Sequence, residues 1–200
     1  MPRPSKPTLF YSFVAVISWP ILALVFRYRA YGKEHLPASG GYVLAAGHAS
    51  NLDPWPLGLA LWPHRFLRFM AKAELFWLPL GWLIKAGGGF KVRRGQSDRD
   101  AMDTAVDLAK EGYVIAMFPE GTRRRKGLFK TREAGAHTGA ARIAHDAGVP
   151  LIPAGIKGTG DLRRLAAWRV RYGEAVPVTD DLVETTARLM DAIHELEASL

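Results

Sequence analysis

Short apolar runs alternate along this chain with longer stretches whose apolar positions recur every three or four residues. Tyr42-Val43-Leu44-Ala45-Ala46, closed by Gly47, has the form of a buried strand. Tyr113 to Phe118 is the clearest such run, and Val149 to Ile156 is another. Arg65 to Ala71 and Trp168 to Tyr172 read as further strands, and Phe90 to Arg93 as an alternating strand after Gly87-Gly88-Gly89. Asp98 to Glu111 sets Met102, Ala105, Val106 and Ala109 on one helical face, with Ser97 as a cap and Gly112 as a stop. Leu75 to Lys85 predicts a short apolar helix, and Gly135 to Ala147 a small-residue helix ended by Gly148. The last helix is expected from near Thr179, with Leu182, Thr186, Leu189, Ile193 and Leu196 as its seam. Tyr28 to Gly41 reads as a connector. Such alternation predicts an α/β layer structure with functional groups at the strand ends.

The chain opens differently. Thr8 to Phe26 is uncharged and apolar, flanked by Arg3 and Lys6 on one side and Arg27 and Arg29 on the other. At about 1.5 Å per residue, such a run is near the minimum for crossing a hydrocarbon core. Pro20 is expected to bend or break a helix there. Three readings stay open: a spanning anchor, a helix dipping into one leaflet, and a buried core helix. No small-residue cleavage site follows directly, so a removed signal peptide is not expected. Residues 1–40 are therefore assigned to an N-terminal membrane-associating arm and 41–200 to one catalytic domain.

Composition narrows the partners. With 200 residues, 48% of them hydrophobic, the chain suffices for one domain with a proper core. The absence of cysteine excludes disulfides, thiolate metal sites and a cysteine nucleophile. A net charge of +8 favours anionic partners: phosphates, acidic lipid surfaces, acidic carrier proteins or nucleic acid. The charge clusters at Arg123-Arg124-Arg125-Lys126 with Lys130 and Arg132, and at Lys91, Arg93 and Arg94. Both clusters adjoin expected strand ends. The aromatic residues do not interleave with them as a base-stacking platform would, and no nucleic-acid-binding module accompanies them. His35, His64, His137, His145 and His194 lack metal-ligand spacing.

Two segments carry candidate chemistry. His48 and Asp53 combine a base with a carboxylate able to fix its tautomer. On a regular helix five residues turn about 140°, onto different faces, so contact requires His48 in a loop and Asp53 at a helix start. Ser50-x-x-Asp53 followed by Pro54 suggests that junction, and equally allows Asp53 to be only a capping-box partner. The second segment is Phe118-Pro119-Glu120-Gly121-Thr122-Arg123. Pro119 ends the strand ladder, Gly121 lets backbone N–H groups approach a ligand, and Arg123 can hold phosphate oxygens in a fork.

In this order, about 65 residues apart, the two segments resemble the signature blocks of the glycerophospholipid acyltransferase family, His-x4-Asp and Phe-Pro-Glu-Gly-Thr-Arg. Gly88-Gly89-Phe90-Lys91-Val92-Arg93-Arg94 resembles its glycine–aromatic–valine–arginine block, and Val149 to Pro153 its fourth block. The resemblance covers roughly residues 40 to 175. It implies a mixed β-sheet flanked by helices, preceded by a membrane-associating helical element. It implies that His48 is the general base and Asp53 its orienting partner. Glu120, Gly121, Thr122 and Arg123 would bind the acyl acceptor, with Arg94 or Arg93 on its phosphate. Lys72 is a further candidate for that phosphate, with surface exposure as its plainer reading. The implied reaction moves a fatty acyl group from acyl-CoA or an acyl-carrier-protein thioester to the free hydroxyl of 1-acylglycerol-3-phosphate, without cofactor or metal. The implied place is the cytoplasmic face of a cell inner membrane, with no nucleic-acid partner. Glycerol-3-phosphate or another lysophospholipid as acceptor, and a non-catalytic lipid binder of the same fold, remain alternatives. Gly47 departs from the asparagine or histidine common there, Arg93 from an aspartate, and His137 from a lysine.

Overall fold

The computed structural model describes residues 7–72, 74, 76, 77, 80–92, 98–120 and 137–200. Its strands are β1 (Arg29–Tyr31), β2 (Tyr42–Ala46), β3 (Leu67–Lys72), β4 (Gly89–Val92), β5 (Val114–Met117), β6 (Leu151–Lys157) and β7 (Arg169–Tyr172). The helices are α1 (Leu9–Leu24), α2 (Pro54–Leu59), α3 (Leu80–Ala86), α4 (Asp98–Lys110), α5 (Gly139–Ala147) and α6 (Leu182–Ala198). One sheet has the order β1-β7-β6-β2-β5-β3-β4. Strands β6, β2, β5, β3 and β4 pair in parallel, whereas β7 runs antiparallel to β6 and carries β1 alongside it. This is the expected mixed sheet flanked by helices.

Alternation along the strands builds two cores. All five residues of β2 have no exposure, because the strand lies between β6 and β5 with both faces covered. Tyr42, Leu44 and Ala46 pack with Val114, Ala116, Ile152 and Ala154 against Ala15 and Leu22 of α1 and Leu57 of α2. On the other face, Val43, Ala45, Ile115 and Leu151 meet α4, α5 and α6. Ala105, Ala109, Ala140 and Ala144 keep those helices close, and Leu189 and Ile193 seal the layer from α6. Leu196 and Glu197 approach β6 at Gly155, where a Cβ would lie 2.7 Å from the Glu197 backbone nitrogen. The bare glycine lets the last turn of α6 lie directly on the sheet.

Several boundaries differ from expectation. The segment from Tyr28 to Gly41 contains β1 and a 3₁₀ turn at Lys33–His35. A three-residue edge strand is too short to leave a period. Helix α6 starts after Asp181, not Thr179, because the Asp181 carboxylate accepts from the backbone N–H groups of Val183 and Glu184. Helix α5 starts at Gly139, and Ser97 and Gly135 lie outside the described residues. Pro20 stands inside α1, which continues to Leu24. Only one N–H is forfeited there, close to the helix end, and Ala15, Ser18 and Leu22 stay buried. Among the described residues no helix is long and apolar enough to cross a membrane.

Candidate active site

The carboxyl ends of β2, β5 and β6 carry the polar groups that matter. Strand β2 ends at Ala46, and a loop from Gly47 to Asp53 leads into α2. Pro54 opens that helix, where its missing N–H costs nothing. The helix has only six residues and is held from outside. Tyr28 Oη donates to the Pro56 carbonyl at 2.6 Å, Tyr172 Oη to the Leu57 carbonyl at 3.0 Å, and Trp55 Nε1 to Ser18 Oγ at 3.2 Å. Burial pushes the Tyr28 and Tyr172 hydroxyls well above the usual tyrosine range, so both stay protonated donors.

His48 and Asp53 come together as the spacing required. His48 Nδ1 lies 2.8 Å from Asp53 Oδ2, and the backbone N–H groups of Ala49 and Ser50 donate to the same oxygen at 2.8 Å each. The carboxylate takes the bond from Ser50 N–H that a capping box would give, but Asp53 stands at the N-cap of α2 and its side chain caps none of the helix N–H groups, so the capping-box reading is not met. Ser50 Oγ accepts from Leu52 N–H rather than from Asp53, which makes the turn tighter than a regular capping box. Asp53 has no exposure, whereas the His48 side chain keeps 18%. A carboxylate accepting at Nδ1 places the proton on that nitrogen and leaves the lone pair on Nε2. Nε2 has no hydrogen-bond partner among the described residues. The imidazole stacks on Phe118 at a centroid distance of 4.3 Å, with 25° between the planes. The two signature blocks thus meet through the imidazole of His48.

Glu120 follows Phe118 and Pro119, three residues beyond β5, the strand that neighbours β2 in the sheet. Lys72 is the last residue of β3. Gly121, Thr122, Arg123, Arg93 and Arg94 lie outside the described residues. Gly47 has a neighbour of its own. The Glu197 carboxylate from α6 occupies the space that a side chain at position 47 would fill. That neighbour is the flexible end of a side chain, so it constrains position 47 only weakly.

One residue of the site left no signal in the sequence. Thr159, two residues beyond β6, donates its hydroxyl to Asp53 Oδ1 at 2.6 Å across 106 positions. It has no exposure. An isolated threonine after a strand resembles any loop residue, and only the fold shows what it meets.

An apolar cavity of about 360 Å³ opens beside the loop. Leu52 and Trp55 bound it on the loop side, Phe10 and Val14 of α1 above, and Leu67 and Phe69 of β3 opposite. A larger hollow of about 740 Å³, over Gly32 to His35 and Arg171 to Glu174, is a groove; neither it nor the apolar cavity is lined by His48 or Asp53.

Replacing Asp53 with Ala should release the tautomer of His48, because the acceptor that faces Nδ1 is removed. Nitrogen-15 NMR of the neutral imidazole should show the proton on Nδ1 in the wild type and mainly on Nε2 in the variant. Retention of the Nδ1–H form would refute this view of the pair.

An acyltransferase family model matches residues 27–157. The chain is 31% identical over 204 residues to the 1-acyl-sn-glycerol-3-phosphate acyltransferase of Bacillus subtilis, covering 95% of this chain and 98% of that protein. It is 26% identical to the 1-acyl-sn-glycerol-3-phosphate acyltransferase of Haemophilus influenzae, over 90% of this chain and 72% of that one. A chloroplastic relative from Brassica napus is 31% identical over 76% of this chain, which spans 44% of that longer protein. The crystal structure of the 1-acyl-sn-glycerophosphate acyltransferase PlsC from Thermotoga maritima shares the fold, with a TM-score of 0.65 at 20% identity, covering 96% of this chain and 93% of that one. This chain belongs to the acyltransferase family, among the 1-acyl-sn-glycerol-3-phosphate acyltransferases.

Proposed function

We propose that the protein transfers a fatty acyl group from an acyl thioester to the free hydroxyl of 1-acylglycerol-3-phosphate, giving phosphatidate, with His48 as general base. The observation that carries this reading is an imidazole whose Nδ1 is held by a buried carboxylate and whose Nε2 has no partner among the described residues, on a loop whose Asn51 and Leu52 line an apolar cavity. A glycerol hydroxyl is a poor nucleophile at neutral pH. His48 Nε2 takes its proton as the oxygen attacks the thioester carbonyl. The carboxylate of Asp53 stabilises the imidazolium that forms. The tetrahedral adduct then collapses, the carbon–sulfur bond breaks, and the imidazolium returns its proton to the departing thiolate. The acceptor occupies the place a serine holds in a hydrolase triad, so no acyl-enzyme is required.

The apolar cavity suits the acyl chain. Arg123, with Glu120, Gly121 and Thr122 beside it in sequence, is assigned to the acceptor, and Arg93, Arg94 and Lys72 to its phosphate. Acyl-CoA or acyl-carrier protein serves as donor, and the chemistry proposed needs no further cofactor. Purified protein in detergent, supplied with either donor, should acylate lysophosphatidate in preference to glycerol-3-phosphate and other lysophospholipids. Arg123→Ala should raise KM for lysophosphatidate at least tenfold with a smaller change in kcat, as for a lost charge-assisted phosphate contact. Turnover of a different acceptor only, or an unchanged KM, would reject the corresponding assignment.

Membrane attachment through α1 belongs to the same proposal. Leu9 is 92% exposed, Phe13 61% and Leu24 80%, while the opposite side of the helix is tied into the protein by Phe10 against Trp82 and Tyr11 against Phe66. Trp55 and Trp82 add exposed indoles. So large an exposed apolar face on a water-facing surface is costly, and burial in one leaflet removes the cost. The 16-residue helix is about 24 Å long, short of the roughly 30 Å hydrocarbon core, which favours lying in one leaflet over spanning. The cytoplasmic face of an inner membrane fits, because acyl thioesters are made on that side. Phe13→Asp with Ile17→Asp should abolish co-sedimentation with phospholipid vesicles while leaving the folded catalytic region intact. Undiminished vesicle binding by the double variant would refute the role of α1.

A further inference from the structure

We infer that Thr159 is a positioning residue for the orienting carboxylate, a role that rests on the proposed use of His48 as base. The bonds to Asp53 divide unevenly. Oδ2 accepts from His48 Nδ1, Ala49 N–H and Ser50 N–H, all of them at most five residues away. Oδ1 accepts from Thr159 Oγ1 alone among the described residues, and that donor comes from the turn after β6. Three bonds converging on one oxygen fix a point. The bond to the other oxygen fixes the plane of the carboxylate, and with it the direction in which Oδ2 faces the imidazole. Both residues are fully buried, so water does not replace a lost hydroxyl without rearrangement.

The local fold is built to deliver that hydroxyl. Strand β6 ends at Lys157, and Gly158 turns the chain with φ +94°, where a Cβ would run into the Ala167 carbonyl. Only glycine fits such a turn without strain. Gly160 then passes beneath Ala49, close enough that a Cβ would touch it at 3.8–3.9 Å. The returning chain is clamped to the end of α1: Trp168 N–H donates to the Phe26 carbonyl at 2.8 Å, and the Arg27 guanidinium donates to the Leu165 carbonyl at 2.9 Å. Arg27 and Leu165 both adopt left-handed backbone, φ 45° and 46°, which non-glycine residues hold only when their surroundings enforce it. Thr159 therefore ties the base's carboxylate to a braced connection between β6, β7 and α1, whereas every other bond to Asp53 is local to its own loop.

Thr159→Val keeps the shape and removes the donor, Thr159→Ser keeps the donor, and Thr159→Ala serves if valine fails to fold, as judged by thermal unfolding. Two readouts apply to the purified full chain. With acyl-CoA and lysophosphatidate, valine or alanine should lower kcat about 10- to 100-fold with KM within about twofold, as for a misaligned catalytic group. Serine should restore at least a third of wild-type kcat. Proton NMR should show a downfield Nδ1–H signal of His48 in the wild type and the serine variant, lost or broadened in the valine or alanine variant. A wild-type signal in that variant overturns the inference whatever kcat does, as does serine being as impaired as valine. If the wild type turns over no lysophosphatidate, the functional proposal fails, and the proton signal still decides the role of Thr159.

Discussion

Everything at this site depends on where one buried carboxylate finds its hydrogen bonds. Asp53 has no contact with water and meets the cost by accepting from an imidazole, two backbone N–H groups and a threonine hydroxyl. A buried carboxylate leaves little freedom to whatever surrounds it. The loop from Gly47 to Ser50 must curl so that its amides face inward, and the imidazole must present Nδ1. The remaining ring nitrogen is left without a partner among the described residues as a result. The geometry of the imidazole is a consequence of satisfying the carboxylate.

The sheet supplies that carboxylate with partners from three separate strand ends. Strand β2 brings His48, β5 brings Phe118 under the imidazole, and β6 brings Thr159. Parallel pairing of β2 with β5 and β6 puts all three ends on one side, which adjacent hairpins would not do. Behind them, buried tyrosines reach across to the carbonyls of α2, and α1 joins the same network through Ser18 and Trp55. The helix with the largest exposed apolar face is thus also bonded to the element that carries Asp53. The exposed apolar face of α1 and the His48–Asp53 pair share one structural frame.

Much of this was legible before any coordinates. The strand runs at Tyr42 and Tyr113 fall where their continuous apolar character placed them, because central strands buried on both faces leave that imprint. The contact between His48 and Asp53 followed from the loop-to-helix junction that Ser50 and Pro54 marked. Thr159 was invisible because its partner is 106 positions away and its residue type is ordinary in a turn. Strand β1 was missed because three residues at a sheet edge carry no period, and the register that holds it comes from β7. Asp53 presented two competing meanings in sequence, cap and orienting acid. The coordinates show the contact with His48, while the Asp53 side chain caps none of the N–H groups of α2, an outcome that spacing alone does not distinguish.

The central claim is that His48 removes the proton of the acceptor hydroxyl. Comparing wild type with His48→Ala for phosphatidate formation from lysophosphatidate and an acyl thioester tests it most directly. The account predicts product from the wild type and a loss of at least a thousandfold in the variant, with lysophosphatidate binding retained. Turnover by His48→Ala near the wild-type rate would contradict it.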